Sequence, residues 1–302
     1  MILVWGDGHD PPVARVLHAL AERGAPCGHI DGAALGRLDH GLRFGDGVSG
    51  WLQWPGVPRL DVARIEAAFV RPGAARSAGD QAAAAALVAL LSLLPLPPGR
   101  LVNPPGAGRS NHSKPYQLGL IEAAGLAVPD TLLTTDPAAA RRFLREHGRV
   151  VYKSLSGVRS IVGALSADSR ADLERLADVR SGPVQLQAWV DGLDVRVHVV
   201  GRTCFACAAK SPATDYRYAA AAGGAPAALR EYALPRSLGR QLVKLSRSLG
   251  LVFTGIDLRR TEAGDWVCFE VNPSPGFPWY EDATGHPIAE TVAALLAGDE
   301  RA

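Results

Sequence analysis

The 302-residue chain is 47% hydrophobic and 21% charged, with a net charge of +2. That balance supplies a real core over roughly two domains, and its interspersed signs exclude the basic footprint of a nucleic-acid or acidic-membrane binder. The opening MILVWGDGHD has no basic stretch, and the most apolar segment, residues 82–94, is too short to span a bilayer, so a cytoplasmic protein without a signal peptide is expected.

ILVWG predicts a short buried strand, and VARVLHALAERG an amphipathic helix stopped by Gly24. The GDGHDP turn between them resembles a dinucleotide fingerprint but lacks its third glycine, with Asp10 and Pro11 in that neighbourhood. This argues against a nicotinamide-dependent oxidoreductase. IEAAFVRPG predicts a further strand. An apolar helix over 79–94 and the loop PLPPGR then close a small α/β unit.

In SNHSKPYQLGLIEAAG a helix is predicted from Ser113 or Lys114, with Pro115 in its first turn and Gly125 as its stop. A lysine there opposes the helix dipole. Either it is solvated, or an anion such as phosphate lies between it and the free N–H groups. GRVVYKSLSGVRSIVGAL reads as strand, tight loop, strand, with Lys153 leaving a buried strand. Ser154, Ser156, Gly157 and Ser160 are small enough for backbone N–H groups to approach an anion. No GK[ST] follows, so this is not a Walker A loop.

After a helix around 168–179, Asp194, Arg196 and His198 alternate with Leu193, Val195, Val197 and Val199. Such a strand has one charged and one aliphatic face: a solvated sheet surface, or the wall of a cleft for a charged ligand. Cys204 and Cys207 form a CxxC within RTCFACAAK. On a strand they point to opposite faces and cannot share a metal, so all four cysteines are read as structural. The Ala/Gly-rich residues 212–231 predict a mobile loop carrying Asp215 and Arg217. LPRSLGRQLVKLSRSLG predicts a helix with Leu238, Leu242, Leu245 and Leu249 on one face.

IDLRRTEAGDWVCFEVN predicts a hairpin. With Glu262–Asp265 as its loop, Thr261 faces Trp266 and Asp257 falls opposite Glu270. A one-residue slip would pair Asp257 with Phe269 instead. Alternation places Trp266, Cys268, Glu270 and Asn272 on one face and Val267, Phe269 and Val271 on the core face. Pro273, Pro275 and Pro278 then end the strand. Asp257, Glu270 and Asn272 thereby gather three hard oxygen donors, and two facing carboxylates require a cation between them. Mg²⁺ suits such donors, whereas zinc prefers His or Cys.

From about Asn103 onward the chain resembles an ATP-grasp ligase. It is most similar to the RimK-type branch, which adds glutamates to a protein terminus, and to the related graspetide (microviridin-type) peptide ligases. The resemblance is carried by SKPYQLGLIEAAGLAVPDT, VVYKSLSG, QAWVDGLDVRVHVVG, TDYRYAAAAGG, FTGIDL and FEVNPSPGFPWYEDATGHPIAE in that order. It implies an α/β fold of α+β lobes: a pre-ATP-grasp domain over 1–103, a central lobe over 104–187 and a C-terminal lobe over 188–302.

The implied cofactors are ATP and two Mg²⁺ ions, with Mn²⁺ as an alternative. Lys114 and Lys153 would contact the phosphates under a flap containing Ser156 and Gly157. Gln187, Ala188, Trp189 and Val190 would form the hinge whose backbone reads the adenine edge, and Asp194 would hold the nucleotide end. Arg196 and Arg217 would face the γ-phosphate and the acyl intermediate. Asp257, Glu270 and Asn272 would hold the metals. Ala219 stands where RimK-like enzymes often carry asparagine. The implied activity is ADP-forming carboxylate–amine ligation through an acyl phosphate, on a peptide or peptide-like natural product. The alternatives are glutamate addition to a protein terminus and a non-catalytic ATP-binding module. Neither nucleic acid nor membrane is expected as a partner, and a homo-oligomer is left open.

Overall fold

The computed structural model describes residues 1–73, 77–154, 162–210 and 227–299. Expectations resting on Ser156, Gly157, Ser160, Asp215, Arg217 and Ala219 lie outside the described residues. The apolar β1 (Ile2–Gly6) is buried throughout. Pro11 opens α1 (Pro11–Glu22), and Gly24, at φ 62°, follows its end. The chain then enters β2 (Cys27–Ile30), parallel to β1. Gly6 lies against α1: a Cβ there would sit 2.8 Å from Val13 and 2.9 Å from the Arg71 carbonyl. The first glycine of GDG thus serves strand–helix packing.

An antiparallel sheet follows, made of β3 (Asp39–Gly45), β4 (Gly47–Gln53) and β5 (Leu60–Asp61). The sequence reading did not resolve it. β6 (Ala67–Arg71) pairs parallel with β1; α2 (Ala78–Leu93) starts at the Ser77 cap; β7 (Leu101–Val102) extends the parallel sheet beyond β6.

Then come α3 (Lys114–Ala123), β8 (Thr131–Thr134), α4 (Pro137–His147), β9 (Arg149–Ser154), β10 (Val162–Ser166), α5 (Arg170–Arg175) and β11 (Val184–Ala188). The four strands form an antiparallel sheet in the order β10-β9-β11-β8. Its core of Phe143, Leu144, Val150, Leu165 and Leu186 draws only on this part of the chain.

The largest sheet has the order β14-β13-β12-β15-β16. It comprises β12 (Leu193–Val200), β13 (Thr203–Lys210), β14 (Ala228–Glu231), β15 (Phe253–Arg260) and β16 (Trp266–Asn272), with α6 (Arg236–Ser248) between β14 and β15. As its leucine periodicity requires, α6 lays Leu238, Leu242 and Leu245 on Val195, Val197, Ile256 and Leu258. Residues 228–231 are strand rather than loop, because β13 presents Cys207–Lys210 as an edge for them to pair with. Cys204 packs toward the α6 core, and Cys207 lies with Ala209 and Tyr280 on the opposite face. Burial pushes the Cys204 thiol up to about 11, so it is no nucleophile near neutral pH.

The tail forms α7 (Pro278–Thr284) and α8 (Ile288–Ala297). Phe277, Ile288, Val292 and Leu296 share one core with Ile2, Val4, Val13, Leu20 and Phe69. Arg15 pairs with Glu281 and Asp282, Arg23 pairs with Glu290 and Asp299, and Arg100 donates to the Leu296 carbonyl. The N-terminal sheet is therefore docked on the largest sheet's lobe through apolar and ionic contacts alike. Among the described residues no helix is long and apolar enough to cross a membrane.

Asn103 ties this junction together. Its Nδ2 donates to the carbonyls of Phe253 and Pro273, and its Oδ1 accepts from the N–H groups of Val252 and Phe253. With each bond worth about 0.5–1.5 kcal/mol net, Asn103→Ala is expected to cost about 2–4 kcal/mol in denaturant unfolding. A loss below about 1 kcal/mol would mean that the apolar core alone holds the junction.

Candidate active site

β15 and β16 pair Arg260 with Trp266, Arg259 with Val267 and Leu258 with Cys268; the register then shifts, pairing Asp257 with Glu270 and Gly255 with Asn272. Phe269 is the extra residue, a β-bulge. Arg260, not Thr261, faces Trp266, so the counted loop was one residue short, and the bulge restores the expected pairing of Asp257 with Glu270. It also reverses the alternation. Cys268 enters the core beside Val271, while Phe269 turns toward Arg259 and Lys153, with the Arg259 guanidinium carbon 5.3 Å and Lys153 Nζ 5.9 Å from its ring centre. Trp266 packs against the same core, so the expected faces of Trp266, Cys268 and Phe269 are corrected accordingly.

Each donor at this strand end has a partner. Asp257 Oδ1 accepts from Arg196 Nη1 at 2.8 Å, Glu270 Oε1 from Lys114 Nζ at 3.2 Å, and Asn272 Oδ1 from the Ser274 N–H at 3.2 Å. Arg196 and Lys114 thus neutralise the two carboxylates. Among the described residues no three or more His, Cys, Asp or Glu side chains gather into a metal site. Two carboxylates and an amide oxygen make only part of a coordination shell. That fits Mg²⁺, which completes its shell with phosphate oxygens and water.

Lys114 is the first residue of α3, as the sequence predicts, and the Ser113 side chain makes no cap bond. Its placement beside Glu270 depends on Gln117, which the sequence reading missed. Gln117 Nε2 donates to the Val271 carbonyl at 2.8 Å, and Gln117 Oε1 accepts from the Val271 N–H at 3.0 Å. The buried amide thereby mimics one residue of a neighbouring strand and fixes α3 against β16 between Glu270 and Asn272. Its only sequence signal is a polar residue next to Leu118 on the helix's buried side.

The charged face of β12 is packed over rather than solvated, since Arg196 and His198 are only 2% and 1% exposed. Arg196 lies opposite Asp257, and His198 opposite Gly255. Gly255 makes room for the guanidinium: a Cβ there would overlap Arg196 Nη2 and lie 2.7 Å from Pro275 Cβ. The loop after Asn272 is held from the N-terminal sheet, because Arg71 Nη1 donates to Ser274 Oγ at 2.7 Å and to the Pro275 carbonyl at 3.0 Å.

The His198 ring pairs with the Gly276 carbonyl at 3.3 Å and meets Tyr280 edge-on. Burial, then the charge of Arg196, holds its pKa well below the ordinary 6.5, against weaker opposing effects of the Gly276 carbonyl and Asp257. The unfolded chain gains this proton as pH falls through 6.5 and the folded chain does not. Stability is therefore complete above that value and lost below it, by about 1.4 kcal/mol per pH unit for one proton. His198→Gln is expected to remove this part of the acid slope in denaturant unfolding measured on both sides of 6.5. An unchanged slope would assign the acid loss to other groups.

The second half of the site lies where β11 leads into β12. The Ala188 N–H donates to the Asp130 carbonyl and the Trp189 N–H to the Arg149 carbonyl. Arg259, also missed by the sequence reading, joins three expected residues. Its Nη1 donates to the Val190 carbonyl at 2.7 Å, its Nε and Nη2 reach Asp194 Oδ1 at 2.9 and 2.6 Å, and its guanidinium lies 5.5 Å from the Trp189 ring centre. Arg149 stacks on the same indole at 3.5 Å. Gln187 Nε2 donates to Thr131 Oγ1 at 3.2 Å. The structure thus gathers Lys114, Arg196, Asp257, Glu270 and Asn272 at one cluster. Gln187, Ala188, Trp189, Val190 and Asp194 lie along the adjoining edge, and Lys153 reaches toward both through Phe269.

A small antiparallel sheet followed in the chain by a larger sheet with an acidic strand end is the order of elements in the ATP-grasp fold. The macrocyclase MdnC of Microcystis aeruginosa, solved with its precursor peptide MdnA, is similar over 98% of this chain and 99% of its own, with TM-score 0.78 and 21% identity. The ATP-grasp ligase PsnB, solved with a minimal precursor, is similar over 98% and 97% of the two chains, with TM-score 0.79 and 25% identity. The RimK-like ATP-grasp domain profile matches residues 111–296, and the chain belongs to that family. A probable alpha-L-glutamate ligase of Psychromonas ingrahamii is 27% identical over 201 residues, 64% of this chain. The match spans 65% of that relative, and a similar ligase of Shewanella amazonensis is matched over 61% of its length. The chain thus matches less than two thirds of these curated relatives.

Proposed function

We propose that the chain is an ATP- and Mg²⁺-dependent, ADP-forming carboxylate–amine ligase acting on a peptide or peptide-like substrate. The observation that carries this reading is the pairing of Asp257 with Glu270 at a strand end, each carboxylate held by a cation that could equally meet phosphate. Bound Mg²⁺, in one or two ions, would neutralise charge developing on the transferred phosphoryl group. Asp257, Glu270 and Asn272 would hold it; Lys114 and Lys153 would position the phosphates; Arg196 would face the γ-phosphate. Arg217, Ser156 and Gly157 keep the roles that the resemblance implies for them.

A substrate carboxylate oxygen attacks the γ-phosphorus and the bond to the ADP oxygen breaks, giving an acyl phosphate. The amine then attacks the carbonyl carbon, loses a proton and expels phosphate. Neither step needs a protein nucleophile, so the chain's contribution is positioning and charge neutralisation.

A peptide substrate is favoured by the precursor peptides bound in the MdnC and PsnB structures. Glutamate addition to a protein terminus is the second reading, favoured by the names of the curated relatives. The test is incubation with ATP, Mg²⁺ and synthetic peptides rich in carboxylate and amine side chains, read by nucleotide chromatography and peptide mass. ADP release with loss of one water per bond formed is expected. Gain of glutamyl residues would select the second reading, and AMP with pyrophosphate would overturn both.

A further inference from the structure

We infer that the exposed face of α6 is a docking surface for an acidic polypeptide segment in extended form, apart from the site described above. Overall the chain is nearly balanced, with 32 basic and 30 acidic residues. Between Glu231 and Asp257, however, it carries no acidic residue, and the four cations there, Arg236, Arg240, Lys244 and Arg247, all fall on α6. All four are exposed. They share the side opposite Leu238, Leu242 and Leu245, which are committed to the core on the largest sheet. That core covers the aliphatic face of β12, so the basic stripe lies behind the sheet, away from Arg196 and Asp257.

Nothing among the described residues accounts for this stripe. Arg236 is the first residue of α6, where the helix dipole disfavours a cation, and the first turn holds neither an acid nor a side-chain cap. Arg236 with Arg240, and Arg240 with Lys244, are like charges one turn apart, an arrangement that destabilises a helix. None of the four side chains has a hydrogen bond or ion pair among the described residues. By contrast, Arg15, Arg23 and Arg259 each meet a carboxylate. A local pattern that opposes helix stability and finds no internal counter-charge points to an anion from outside.

Spacing and surroundings narrow the partner. Cations four residues apart on a helix are separated by a rise of about 6 Å, and same-side residues of an extended chain lie about 6.6 Å apart. A strand with a carboxylate at every second position therefore keeps step with Arg236, Arg240 and Lys244, and Arg247 lengthens the row to about 16 Å. A membrane surface would need an apolar helix face directed outward, and that of α6 is turned to the sheet. Single-stranded nucleic acid is bound on aromatic stacking platforms, and α6 has no aromatic residue. Duplex DNA carries a charge about every 1.7 Å of its axis, far denser than this row.

The test is fluorescence anisotropy of a labelled peptide of alternating glutamate and serine, titrated with the full chain across a salt series and without nucleotide. The parent protein is expected to bind the peptide at low salt and to release it as salt screens the charges. Arg240→Glu with Lys244→Glu should weaken binding by about tenfold or more, in line with several exposed charge pairs lost at once. Arg240→Gln with Lys244→Gln should bind with intermediate strength. Its melting temperature should stay level or rise, since two like-charge pairs are relieved, so weaker binding there is not a sign of unfolding. No binding by the parent, or equal binding by the charge-reversed variant, would overturn the inference. So would equal binding of a peptide of the same composition with its glutamates in one block. Tighter binding of duplex DNA or of phosphatidylserine vesicles, lost in the same variants, would overturn the assignment to a polypeptide. Turnover of ATP plays no part in the measurement, so this inference stands or falls separately from the proposed ligase activity.

Discussion

Asp257→Asn is expected to lower turnover by about 10² or more, because one preorganised group facing the developing charge is lost. The amide keeps an oxygen for Arg196 but brings no charge, so raising Mg²⁺ should not restore the rate. Asp257→Ala goes further. It strands a guanidinium whose side chain is only 3% exposed, and breaking a buried pair from one side costs about 3–5 kcal/mol. Comparing the two variants separates the roles: the Asn form should lose turnover with most of its stability intact, and the Ala form should lose both. The measurements are ADP release across an Mg²⁺ titration and denaturant unfolding. ATP binding retained in Asp257→Asn without turnover would favour an enzyme over a non-catalytic nucleotide-binding module. Wild-type turnover with an unchanged Mg²⁺ requirement would take Asp257 out of the metal site and remove the centre of the proposed function.

The residues legible in the sequence are those whose neighbours along the chain determine their setting. Asp194, Arg196 and His198 stand out because strand alternation alone makes them one face. Lys114 stands out because helix electrostatics disfavour it where Pro115 places it. Asp257 and Glu270 meet as counting along the hairpin requires, though only because the bulge at Phe269 offsets a loop one residue longer than counted. The same bulge exchanges the faces of Cys268 and Phe269, and no local pattern announces it.

Gln117, Arg259 and Asn103 act across sequence separations of 154, 65 and 150 residues respectively. Each satisfies backbone or carboxylate groups that the sequence does not show to be in need. In the N-terminal region the small antiparallel sheet escaped notice because its residues are mostly exposed or half-buried and glycine-rich, with little apolar alternation to register.

Gly255 belongs with these unseen residues, and Gly255→Ala is the sharpest test of how the site is packed. Glycine is not needed there for a positive φ; the added methyl collides with Arg196 and Pro275. The guanidinium cannot swing into water to relieve the clash, since it is buried and committed to Asp257. Either Arg196 leaves Asp257, or β15 parts from β12 where Gly255 faces His198. Overpacking alone costs about 1–3 kcal/mol, and a broken buried pair about 3–5 kcal/mol. A destabilisation of at least about 3 kcal/mol is therefore expected in denaturant unfolding, together with a loss of turnover comparable to that of Asp257→Asn. Adding Arg196→Met removes the clash but leaves the Asp257 carboxylate unpaired, so the double variant should be no less stable than Arg196→Met alone while remaining inactive. That non-additivity is the signature of two residues competing for one space. If Gly255→Ala keeps both its stability and its turnover, the close seat of Arg196 against β15 is not what holds the catalytic face in place.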